Sequence, residues 1–144
     1  MNNILFIDDD IHFLKALALV VGTQLNDCNI LIANNGAQGV ATMDSMPISF
    51  ILTDLNMPVM DGYGVINHRN KSCPQVPLYV MSGCLSPETR GKLDRLCVSG
   101  CIEKPFGFEQ ITDKIARALN VELIDDFKNN RPLLQPAAEG MIFV

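Results

Sequence analysis

A chain of 144 residues is the size of one ordinary domain, and at 48% hydrophobic and 19% charged it carries enough apolar side chain for a core, which excludes wholesale disorder. A formal net charge of −5 excludes the basic footprint of a duplex nucleic-acid binder. No apolar run is long enough to span a bilayer, and Met1-Asn2-Asn3 lacks the basic start of a signal peptide, so the expectation is a cytoplasmic chain that contacts neither membrane nor nucleic acid.

Strand-like and helix-like segments alternate from the start. Residues 3–7 form a continuous apolar strand that runs into Asp8-Asp9-Asp10. Ile11, Leu14, Leu17, Ala18, Val21 and Leu25 then give a helical stripe over 11–25, with Asp10 as its cap. A second strand covers 29–33. Asn35-Gly36 leads into a short helix that stops near Pro47. The third strand, 49–53, delivers Asp54 to a loop punctuated by Pro58 and Gly62, where Asp61 opens a turn. A poorly patterned helix, weakened by Gly64, follows over 62–70. The fourth strand is 76–81. Ser86-Pro87-Glu88 starts the next helix with a cap residue, a proline and a first-turn acid, and Leu93, Leu96 and Cys97 lie on it. Val98–Ile102 reads as the fifth strand, and the last helix begins near 107 and buries Ile111, Ile115, Ala118 and Leu119.

Five such units predict an α/β fold: a doubly wound five-stranded parallel sheet with helices on both faces, flavodoxin-like (βα)5. Residues 1–120 make this domain. Over 121–144 the apolar spacing continues through Leu123 and Phe127, which predicts a C-terminal helix extension, followed by a tail or linker. Cys28, Cys73, Cys84, Cys97 and Cys101 include no CxxC pair and read as free thiols.

Open α/β sheets bind ligands at the carboxyl ends of their strands. Asp8, Asp9, Asp54, Ser82 and Lys104 all fall on such ends. Asp9 and Asp54, with Asp8 directly or through water, offer the hard oxygens that Mg²⁺ prefers, with Mn²⁺ as the alternative. Crowded carboxylates raise one another's pKa until a cation arrives. Asp54 is placed to attack phosphorus and become an aspartyl phosphate. Lys104 supplies a point charge, Ser82 a hydroxyl, and a cis Lys104-Pro105 bond would aim the lysine inward.

Together, Asp8-Asp9, Asp54 with Met57-Pro58-Val59-Met60-Asp61-Gly62, Ser82-Gly83 and Lys104-Pro105-Phe106 resemble the receiver domain of bacterial two-component response regulators of the chemotaxis-regulator kind. The resemblance implies that Asp54 is the phosphoacceptor. It makes a sensor histidine kinase or phosphotransfer protein the donor. Asp8, Asp9, Asp54 and the backbone carbonyl of Asn56 would hold the metal, and Ser82 and Lys104 would contact the phosphoryl group. It implies an output surface over roughly 84–119, read by a downstream protein, a fused output domain or a second copy in a homodimer. Such a domain is not an enzyme beyond its own phosphorylation and dephosphorylation. Asn56 and Cys84 would flank the path of hydrolytic water. One position departs from the pattern: Cys101 stands where receivers carry an aromatic switch residue, three before the lysine.

Two other readings arise. Residues 4–10 also resemble the opening motif of haloacid-dehalogenase-like phosphatases, with Asp8 as nucleophile and Asp10 as acid/base, but this leaves the Asp54 loop and Lys104-Pro105-Phe106 without a purpose. The third is an interaction module indifferent to phosphorylation, which Cys101 favours. His12 and His68 read as surface or packing residues.

Overall fold

The computed structural model describes residues 1–124 and 141–143. Its strands are β1 (Asn2–Ile7), β2 (Cys28–Ala33), β3 (Phe50–Asp54), β4 (Leu78–Ser82), β5 (Gly100–Glu103) and β6 (Met141–Phe143). Its helices are α1 (Ile11–Gln24), α2 (Gly36–Ser45), α3 (Gly62–Ser72), α4 (Pro87–Arg95) and α5 (Phe108–Leu119). All strands are parallel, in the order β5-β4-β3-β1-β2-β6. The first five have the expected doubly wound arrangement. The chain winds one way from β1 to β2 and the other way from β3 through β5, so the order reverses between β1 and β3. The crevice at that reversal is where a ligand site belongs.

Alternate residues of each strand feed opposite cores. Ile4, Phe6, Ile32, Phe50, Leu52, Met81 and Ile102 pack with α1 and α5. Leu5, Ile7, Leu31, Ile51, Leu78 and Val80 pack with Val65, Ile66 and Leu93 of α3 and α4. Both faces of the sheet are therefore buried, which explains the near-continuous apolar strands. The helix starts follow the cap chemistry in the sequence. Asp10, Asn35, Asp61 and Ser86 each accept a backbone N–H from the first turn.

Several boundaries differ from expectation, among them the fourth strand, which runs over Leu78–Ser82 instead of 76–81. Helix α4 stops at Arg95, and Cys97 adopts a left-handed conformation with φ 60°. Val98 N–H then reaches back to the Leu93 carbonyl, so Val98 belongs to the helix exit and pairing begins at Gly100. At the far end, the predicted extension of α5 does not form. Asn120 closes the helix in the left-handed region (φ 53°, ψ 47°), a conformation asparagine tolerates. Leu123 bridges Leu25 and Ile124 N–H bonds the Gln24 carbonyl. The backbone there satisfies itself against the end of α1 instead of within a helix. Met141–Phe143 forms a sixth strand against β2, with Ile30 opposite Met141. Phe127 and the linker-like residues after it lie outside the described residues.

The charge of Arg69 breaks the helical pattern of α3. It sits three and four residues after Ile66 and Val65 and is only 4% exposed. Its Nε donates to the Val76 carbonyl at 2.9 Å and its Nη1 to the Cys97 carbonyl at 3.2 Å. The neighbouring Asn70 amide donates to the Leu96 carbonyl at 2.9 Å. Two adjacent side chains of α3 thus satisfy carbonyls at the exit of α4, which the helix itself leaves unpaired.

Candidate functional site

Four of the predicted residues meet at the reversal point. Asp8 follows β1, Asp54 ends β3, and Lys104 follows β5. One carboxylate oxygen from each of Asp8, Asp9 and Asp54 lies within 4.8 Å of the others. Lys104 Nζ lies 2.9 Å from Asp8 Oδ2 and 3.6 Å from Asp54 Oδ1. Asp8 is 1% exposed and Asp54 is 8% exposed, while Asp9 faces solvent. Local bonds fix the acids. Asp8 Oδ1 accepts the Asp10 N–H at 3.0 Å, and Asp54 Oδ1 accepts the Leu55 N–H at 2.9 Å.

The loop behind Asp54 is held against the strand by close backbone approach. A Cβ on Gly62 would stand 2.5 Å from the Asp54 carbonyl oxygen and 2.8 Å from Leu55 Cα, so only glycine fits. Gly62 N–H also bonds the Leu55 carbonyl at 2.8 Å. Val59, in the same loop, is 85% exposed and has φ 71°, a conformation that a β-branched side chain resists. Val59→Gly is expected to raise the unfolding free energy by about 1 kcal/mol, measured by urea titration, because the strain relieved exceeds the added chain entropy.

Burial pushes the Asp54 carboxyl above its ordinary pKa, and the Asp8 charge adds to the effect. Burial also raises Asp8, against the opposing pull of the Asp10 N–H and of Lys104. Burial disfavours the Lys104 ammonium, yet its hydrogen bond to Asp8 and the charges of Asp8 and Asp54 hold its pKa above the usual lysine value. Three acids near one lysine leave an excess of negative charge. This all-oxygen donor set fits a hard divalent cation, which would relieve that excess.

The other predicted residues are less closely engaged. Asn56 is exposed on the loop after β3. Ser82 is 1% exposed, and its carbonyl accepts the Lys104 N–H at 2.8 Å. Its hydroxyl is turned into its own loop, where it meets the Cys84 N–H at 3.2 Å and the Cys84 carbonyl at 3.3 Å. Cys84 is exposed. Cys101 is half-buried opposite Val80 and packs on the α3–α4 side of the sheet. Burial raises its thiol pKa, as it does for Cys28 and Cys73. The Lys104-Pro105 bond is cis, as anticipated.

Sequence reasoning did not anticipate Phe13. Lys104 Nζ lies 5.1 Å from the centre of the Phe13 ring, and Phe106 and Phe108 meet that ring edge-on. In sequence Phe13 stands beside the apolar stripe of α1, and nothing marks it out. His68, read as a surface or packing residue, meets a carboxylate from another helix: its Nε2 lies 2.8 Å from Asp44 Oδ1 of α2.

A doubly wound parallel sheet thus gathers three carboxylates and a lysine at its reversal point. The response regulator receiver domain model matches residues 4–116, and the chain belongs to that family. Among curated relatives, the autoinducer 1 sensor kinase/phosphatase LuxN of Vibrio campbellii is 30% identical over 112 residues, spanning 78% of this chain and 13% of that protein. The transcriptional regulatory protein ZraR of Escherichia coli is 27% identical over 118 residues, spanning 81% of this chain and 26% of that protein. This chain therefore covers only a small part of the relatives it matches. Among solved structures, the chemotaxis protein CheY4 of Vibrio cholerae superposes with a TM-score of 0.73 at 22% identity, covering 82% of this chain and 98% of that one. A receiver domain protein from Methanospirillum hungatei gives 0.77 at 22% identity, covering 83% and 94%. The family match leaves no support for the dehalogenase-like reading, and the Asp10 carboxylate assigned there as acid/base caps α1. Among the described residues, no helix is long and apolar enough to cross a membrane.

Proposed function

We propose that this domain is a cytoplasmic phosphoacceptor that takes a phosphoryl group from a phosphohistidine on a sensor kinase or phosphotransfer protein. The convergence of three carboxylates and one ammonium at the reversal of strand order carries this reading. An Asp54 carboxylate oxygen forms the new bond to phosphorus while the phosphorus–nitrogen bond to the donor imidazole breaks, and the imidazole nitrogen leaves with the electron pair. Asp8, Asp9, Asp54 and the backbone carbonyl of Asn56 would hold Mg²⁺ or Mn²⁺. The cation supplies charge neutralisation for the incoming phosphoryl oxygens.

Lys104 is already within reach of Asp54 and can transfer its contact from Asp8 to a new anionic oxygen. The Ser82 hydroxyl is held by two long, neutral contacts. A charge-assisted bond to a phosphoryl oxygen is stronger, so the hydroxyl would leave the Cys84 turn when Asp54 is modified. Its departure frees the Cys84 backbone at the entrance to α4. The output surface is then α4, β5 and α5, where a groove lined by Glu103, Gln110, Asp113, Lys114 and Arg117 runs along the edge strand. A downstream protein, a fused output domain or a second copy would read that surface.

Incubation with acetyl phosphate and Mg²⁺ is expected to add about 80 Da, by intact-protein mass spectrometry, to the wild-type chain. Asp54→Asn should take up none, and chelation should abolish the increment. Labelling that persists in Asp54→Asn and vanishes in Asp8→Asn would overturn the assignment. The small thiol of Cys101 favours a second reading, a docking module indifferent to phosphorylation. Under that reading beryllofluoride would bind while the amide resonances of residues 84–119 stay unmoved.

A further inference from the structure

We infer that Phe13 is a positioning residue for Lys104, and this rests on the phosphoacceptor reading of Asp54. The lysine ammonium rides on a flexible four-carbon stem, so something must hold it over the pocket. Asp8 and Asp54 hold it from one direction. The Phe13 ring holds it from another, with Nζ 5.1 Å from the ring centre, within the range of a cation–π contact.

The ring itself is fixed in two ways. Its backbone N–H is capped by Asp10 Oδ1 at 3.1 Å, and the Asp10 N–H in turn bonds Asp8 Oδ1 at 3.0 Å. The ring edge is gripped by Phe106 and Phe108, at centroid distances of 6.0 and 5.9 Å and interplanar angles of 79° and 67°. Phe106 and Phe108 flank the junction between Lys104 and α5. The aromatic cluster therefore locks the first turn of α1 to the segment that carries the lysine.

An aromatic face suits this task better than a third carboxylate. It attracts the ammonium without fixing an N–H donor to a rigid oxygen. Lys104 can then exchange Asp8 for an incoming phosphoryl oxygen while its position above the ring is kept. An aliphatic side chain of similar size would preserve the packing and lose the attraction.

The test compares wild type, Phe13→Leu and Phe13→Tyr with acetyl phosphate and Mg²⁺. Phe13→Leu is expected to slow formation of the Asp54 adduct by about two- to five-fold, the factor a contact of this class supports. Phe13→Tyr should restore the rate. The Lys104 ε-methylene protons, shifted upfield by the ring in wild type and in Phe13→Tyr, should return to ordinary values in Phe13→Leu. The inference is overturned if the lysine resonances do not move in Phe13→Leu, if its rate matches wild type, or if the leucine and tyrosine variants slow equally. A wild-type chain that takes no adduct at Asp54 overturns the phosphoacceptor reading instead, and this inference falls with it.

Discussion

Truncating Arg69 to alanine is expected to lower the unfolding free energy by about 3 kcal/mol, the scale for deleting a large buried side chain together with its hydrogen bonds. The guanidinium is buried, and burial depresses its pKa, with the nearby Cys73 and Cys97 thiols acting in the opposite direction. Its partners are the carbonyls of Val76 and Cys97 and the side-chain oxygen of Asn70, so among the described residues it meets no carboxylate. What compensates the charge is the exit of α4, whose last carbonyls carry the negative end of the helix dipole. Alanine leaves those carbonyls unpaired and opens a cavity beneath α4. Methionine fills most of the volume without a charge and should fall between wild type and alanine. Lysine keeps the charge but lacks the planar fork that reaches Val76 and Cys97 at once. Urea titration should rank the variants in that order, and hydrogen exchange should localise the loosening to residues 93–99. An alanine variant within about 0.5 kcal/mol of wild type, the spread of ordinary surface changes, would mean these bonds contribute nothing.

Arg69 also shows where the sequence stopped being legible. The helix over 62–70 looked poorly patterned because one of its inward positions is occupied by a cation. Periodicity recognises apolar faces and has no means of identifying a buried charge whose partners come from another helix. The same limit hid the exit of α4. The sequence offers Cys97-Val98-Ser99-Gly100 with no strong stop, and the left-handed Cys97 is fixed by bonds from Arg69 and back to α4. By contrast, the acid pocket was readable because its chemistry is local to strand ends. Asp8 and Asp54 each follow a short apolar run, and strands buried on both faces leave that signature. Caps at Asp10 and Ser86 were readable for the same reason, since a cap bonds within three residues. The place of Phe13 under Lys104 and the pairing of Met141–Phe143 with β2 depend on contacts between distant segments, which single-sequence patterns do not encode.

The pocket's excess of negative charge should be measurable without any phosphoryl donor. Asp54→Asn is expected to stabilise the metal-free protein at neutral pH by on the order of 1–2 kcal/mol, because a buried carboxylate beside Asp8 is strained by desolvation and by like charge. Both acids have folded pKa values raised above the ordinary 3.8. The folded state therefore holds their protons more tightly than the unfolded state does. Their contribution to stability is greatest below the unfolded value and is lost as pH rises through the folded values. Lys104 titrates in a different window. Its raised pKa stabilises the fold below the ordinary 10.5 and fades only as pH climbs through the folded value, so it is constant across the neutral range. Chemical denaturation in chelator should thus show wild-type stability falling from about pH 4 toward neutrality, with a shallower fall in Asp54→Asn. Added Mg²⁺ should reverse the ranking at pH 7. Wild type gains binding free energy that the asparagine variant, with one fewer charged ligand, largely lacks. A wild-type stability that is indifferent to millimolar Mg²⁺, or an Asp54→Asn variant less stable in chelator, would mean that the acids are not strained against one another. The carboxylates would then be structural, and the case for a cation-assisted phosphoacceptor at Asp54 would lose its electrostatic basis.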